Sequence, residues 1–137
     1  MRPSFAAWEA IFLFTQAVEV PLLVLVLRRE LTPKPSIARA AVIGFGATAL
    51  THPVVTFAIP RVTAGLFDWM AQRGMGVVWS GAFRWVVLAA CCEGFAVGME
   101  AVYLRAFRLR RALLWSLAVN FASASLGLCC SLLFGWP

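Results

Sequence analysis

The stretch WVVLAACCEGFAVGMEAVYLR, Trp85 to Arg105, decides how the rest of the chain is read. At about 1.5 Å per residue this apolar run reaches roughly 30 Å, the thickness of a bilayer's hydrocarbon core. Glu93 falls near its centre. A carboxylate at that depth costs about 2.5 to 3.5 kcal/mol on insertion scales, so it is expected to face protein or a cavity rather than lipid. Glu100 follows one heptad later near the same face, and Tyr103 lies a further three residues on. Gly94 and Gly98 form a GxxxG pair, which would let a neighbouring backbone approach closely.

Three more apolar runs lie outside this one, so the expected spans are about 5–27, 37–59, 82–104 and 112–134. The chain has 137 residues, 62% of them hydrophobic, and its mean hydropathy is +0.86. An ordinary soluble domain is excluded by that composition, and little chain is left over for a second domain. The expectation is a single all-α domain over 1–137, an integral membrane four-helix bundle. The first run is read as a retained helix rather than a secretion signal. It carries Glu9 and Glu19, and it ends at Arg28 and Arg29 without a small-x-small cleavage site.

Prolines punctuate the first half. Pro21 lies inside helix one beside Gln16 and Glu19, and Pro53 lies inside helix two directly after Thr51 and His52. Each removes a helical N–H, freeing the carbonyl of Ala17 or Ala49. Pro33 and Pro35 make a tight connection between the two helices. After Pro60, the aromatic and charged residues Phe67, Asp68, Trp69, Arg73 and Trp79 suit an interfacial or short external helix, ended by Gly74 and Gly76. Trp8, Trp69, Trp79, Trp115 and Trp136 lie near helix ends as interface anchors.

The net charge of +6 resides in loops. Arg28, Arg29, Lys34 and Arg39 lie around the first connection, and Arg105, Arg108, Arg110 and Arg111 around the last. The positive-inside rule then puts both connections in the cytoplasm and both termini outside, in a bacterial inner membrane. The lipid bilayer is the expected partner, and a homo-oligomer or larger membrane complex would enclose more volume than four short helices do. Nucleic acid is excluded, since no basic and aromatic module lies outside the spans.

Counting inward from those cations places Glu19 and Asn120 roughly 13 Å deep, Glu93 roughly 18 Å and His52 roughly 20 Å. Each span thus supplies one strongly polar side chain within a band of about 7 Å. Thr51 and Ser123 fall in or near the band, whereas Glu100 and Tyr103 lie closer to the cytoplasm. A converging set of this kind can hold a proton, bind a cationic group or coordinate a divalent metal through His52, Glu19 and Glu93. It can equally hold the bundle together by hydrogen bonds worth only about 0.6 kcal/mol each. No Glu-x-x-His or HExxH spacing supports the metal. The doublets Cys91-Cys92 and Cys129-Cys130 read first as small apolar residues, and then as soft-metal ligands.

Glu19-Val20-Pro21, Thr51-His52-Pro53, Glu93 with Glu100 and Tyr103, and Asn120 with Ser123 resemble, in that order, a group of small four-span bacterial membrane proteins. That group carries a Thr-His-Pro element and has no established activity. Thr48 and Thr56 stand where the group would have Asn and Trp. The resemblance implies a helical inner-membrane protein and points to the same polar residues.

Two function classes remain. One is a binding or translocating bundle that uses the polar band, and the other is a non-catalytic accessory subunit whose band fixes helix register. An enzyme comes third. The single histidine excludes a two-histidine metalloprotease, and no Ser-His-Asp constellation is readable.

Overall fold

The computed structural model describes residues 5–74 and 81–135, with side chains from Trp8 onward. Every element in them is helical. Helix α1 spans Phe5–Glu30, α2 spans Ile37–Pro53, a π-helical turn covers Val54–Ala58, α3 spans Ile59–Gln72, α4 spans Gly81–Ala106 and α5 spans Ala112–Phe134. Four helical segments are long and apolar enough to cross a membrane: Trp8–Glu30, Ile37–Gln72, Gly81–Ala106 and Ala112–Phe134. In space α1 packs on α2, α2 on α4, α4 on α5, and α5 back on α1, which closes a ring of four.

The second span does not stop at Ile59, contrary to the reading of Pro60 as its end. The chain runs on through the π turn into α3, 36 residues from Ile37 to Gln72. Pro60 stands in the first turn of α3, where its missing N–H would be unpaired anyway. The wider turn is closed by Ile59 N–H donating to the Val54 carbonyl. Proline at 60 also leaves the Val55 carbonyl without a π-type donor, and the thiol of Cys92 on α4 reaches it at 3.5 Å. α3 is amphipathic and buries Thr63 and Phe67, with the Arg84 guanidinium 5.3 Å from the Phe67 ring. It ends as expected at Gly74, whose φ of 74° is open to glycine. Gly76, Trp79 and Trp136 lie outside the described residues.

Both basic connections sit at the same end of the ring. Ser36 caps α2 by accepting from the Arg39 N–H at 3.2 Å. The α4–α5 turn is made by Arg108 at φ 67° and by Leu109 N–H donating back to the Leu104 carbonyl at 3.2 Å. Leu109 is thereby turned inward, fully buried beside Leu23, Leu27 and Leu104. These residues, with Ala40, Ile43 and Ala112, form the apolar core. In a bilayer such burial would carry no transfer gain and would leave close packing as its contribution.

That packing is confined to one end. The buried residues of α4 are Ala96, Glu100, Ala101 and Leu104, all in its second half. Those of α5 are Ala112, Ser116, Val119, Asn120 and Ser123, all in its first half. The bundle is therefore a wedge, sealed near the arginine loops and open toward the far end. Trp115 packs against the sealed core, which goes beyond its expected part as an interface anchor. Gly44 brings α1 close to α2: a Cβ there would meet Leu23 Cβ at 3.2 Å and the Val20 backbone at 3.6 Å. Gly94 and Gly98 do not do this within the chain, since a Cβ at either would have nothing within 4 Å.

Candidate functional site

Above the leucine core lies a layer of buried polar side chains. Glu19 on α1 is 2% exposed and Glu100 on α4 is 1% exposed. Glu19 accepts from Thr48 Oγ1 of α2 at 2.6 Å and from Ser123 Oγ of α5 at 2.6 Å. Glu100 accepts from Asn120 Nδ2 at 2.6 Å, Ser116 Oγ at 3.2 Å and Thr51 Oγ1 at 3.3 Å. All of these donors are neutral.

The hydroxyls are not committed to the carboxyls. A hydroxyl has one proton, and a nearby carbonyl competes for most of them. Ser116 Oγ is 3.0 Å from the Val97 carbonyl, Thr51 Oγ1 is 3.1 Å from that of Thr48, and Ser123 Oγ is 3.0 Å from that of Asn120. When Glu100 is ionised, Thr51 and Ser116 can donate to it. When it is protonated, either hydroxyl can turn to its carbonyl and accept the carboxyl proton. Glu19 has the same choice through Ser123. The network is satisfied in either state.

A cavity of about 490 Å³ stands on this layer. Glu19, His52, Glu93 and Asn120 all line it, as do Glu100, Thr51 and Ser123. The band read from sequence thus meets in one place, with two changes. Glu100, expected nearer the cytoplasm, is the buried and hydrogen-bonded carboxyl of α4. Glu93 is an exposed residue that lines both this cavity and a smaller groove between α4 and α5. The wedge accounts for the exchange: one heptad toward the open end, α4 has left the packed region. Tyr103 is not part of the cavity; its ring packs over Gly46 and lies 5.0 Å from Phe107.

His52 is buried at 6% exposure. Its ring meets Phe12 edge-on at 5.1 Å and Trp8 at 6.0 Å. Nδ1 lies 3.4 Å from Thr56 Oγ1, one turn along the proline-bounded π segment. Thr48, Ser116 and Thr56 are not among the site residues expected from the sequence, because lone hydroxyl residues are ordinary in apolar helices and carry no spacing signal.

Among the described residues no group of three or more His, Cys, Asp or Glu side chains could hold a metal ion. His52, Glu19 and Glu93 share the cavity without forming a ligand shell. The four cysteines are free, with Cys91 and Cys129 exposed and Cys92 and Cys130 half-buried. No protein family, curated protein or solved structure matches the chain.

Proposed function

We propose that this chain is a membrane protein that binds and exchanges a proton or small cation at Glu19 and Glu100, on the floor of its cavity. The observation that carries the proposal is the network's double fit: at each carboxyl at least one hydroxyl, Ser123 at Glu19 and Thr51 and Ser116 at Glu100, has a second acceptor in reach, so gaining or losing a proton leaves no group unpaired. Ionised carboxyls without a cation nearby are costly in hydrocarbon, so proton and cation would compete for the same oxygens.

The membrane setting belongs to the proposal. With the eight cations of the two basic loops in the cytoplasm of a bacterial inner membrane, both termini lie outside and the open end of the wedge faces outward. At about 1.5 Å per residue the long second helix reaches roughly 54 Å, so α3 would leave the hydrocarbon layer and lie in or beyond the interface. The resemblance to four-span proteins with a Thr-His-Pro element fits this picture through the same residues.

A second reading has its own support. Glu19 links α1 to α2 and α5, and Glu100 links α4 to α2 and α5, which is what an accessory bundle would use to fix its register. Titrating the purified chain with monovalent cations, inorganic and organic, in weakly buffered detergent separates the two. The binding reading expects proton release with at least one cation, absent from the Glu19→Gln/Glu100→Gln double variant. A chain that releases no proton with any of them is an accessory scaffold.

A further inference from the structure

The walls of the cavity bear on which cation it would hold, an inference that rests on the exchange reading above. Magnesium and calcium require about six or more oxygen ligands. Here the carboxyls lie on the floor, while Ile11, Phe14, Val55, Ala96 and Leu128 contribute apolar wall. That apolar wall offers a hydrated inorganic ion nothing in exchange for its water, whereas a carbon skeleton would fill it. A bare proton needs no such space, and about 490 Å³ falls within the roughly 300 to 1,000 Å³ of small-molecule sites.

One buried polar group is also unused. His52 lines the cavity and is 6% exposed, and its only hydrogen-bond contact is Thr56 at Nδ1. Nε2 therefore has no partner among the described residues. With the ring proton on Nδ1, Nε2 can accept an N–H.

We infer that the cavity is a site for a monovalent organic ammonium, its charged nitrogen at the Glu19 and Glu100 floor and its apolar body against α1, α5 and the π segment. His52 Nε2 supplies a further acceptor to the amine. The apolar wall serves the carbon skeleton and the carboxyls serve the charge, so neither an uncharged analogue nor an inorganic ion satisfies both.

Isothermal titration of the purified full-length chain in detergent tests this with phenethylammonium as probe, and 2-phenylethanol, K⁺ and Mg²⁺ as comparisons. Saturable binding of phenethylammonium is expected, at least tenfold weaker in Glu100→Gln and unchanged in Glu9→Gln, whose carboxyl lies outside the cavity. Leu128→Trp, which narrows the cavity and leaves the carboxyls intact, should weaken the amine. Equal binding of K⁺ or of the alcohol overturns the ligand class. Proton release with K⁺ but no binding of phenethylammonium overturns this inference alone, whereas amine binding unaffected by both Glu19→Gln and Glu100→Gln overturns the exchange reading as well.

Discussion

Gln16 shows most sharply what the polar layer costs. It is 8% exposed, and neither its amide oxygen nor its amide nitrogen has a partner among the described residues. A buried polar group left so costs about 1 to 3 kcal/mol, so Gln16→Leu is predicted to raise the thermal midpoint in detergent. A lower midpoint would mean that the amide is satisfied by something it holds. The opposite sign is expected at Asn120, whose 2.6 Å bond to Glu100 is the shortest that carboxyl accepts. Asn120→Leu should lose about 1 kcal/mol, in the range measured for hydrogen bonds between membrane helices. At this scale much of the site was legible in the sequence. A costly group at matched depth on each span marked Glu19, His52 and Asn120, because hydrocarbon penalises polarity wherever it falls. Depth counting favoured Glu93 over Glu100, yet both lie near one face of α4 and it is Glu100 that is buried, since the outcome depends on where the neighbouring helices splay apart.

Close approach of helices distinguishes two sets of glycines. At Gly44 an added methyl would press on Leu23 Cβ and come into ordinary contact with the Val20 backbone, so Gly44→Ala is predicted to cost about 1 kcal/mol as overpacking of the α1–α2 seam. Gly94→Ala should not lower the monomer's unfolding midpoint, because nothing lies within 4 Å and alanine favours the helix; comparing the two unfolding curves checks both. The GxxxG spacing was visible in the sequence, but a spacing says only that a surface is smooth and not which neighbour uses it. Helix existence was equally plain from hydropathy, whereas the continuity of α2 with α3 was hidden. A proline read as a stop turned out to be tolerated in a first turn, with a π turn absorbing the mismatch. That turn sets His52 one turn from Thr56. Thr56→Val should therefore weaken amine binding modestly, about two- to fivefold, by freeing the imidazole to rotate.

The molecule as a whole is a wedge with its leucine seal at the arginine end and its cavity toward the other. Lining residues such as Ile11, Val55 and Ser131 lie toward that open end, while Leu27 and Leu104 are fully buried below. In a cysteine-free background within sealed vesicles, Thr56→Cys should react with a membrane-impermeant maleimide from the side of the termini, and Leu27→Cys from neither side. Reaction of Leu27→Cys would mean that the seal is not closed. The asymmetry could not be read from hydropathy, which gives the length of each span but not its tilt against the next. The central claim is that the two carboxyls change state rather than serve as fixed struts. Infrared difference spectra taken on adding phenethylammonium or K⁺, with bands assigned by Glu19→Gln and Glu100→Gln, test it most directly. The account predicts that a carboxyl band from these two groups shifts or disappears with at least one cation, and carboxyl bands that stay unchanged with both would contradict it.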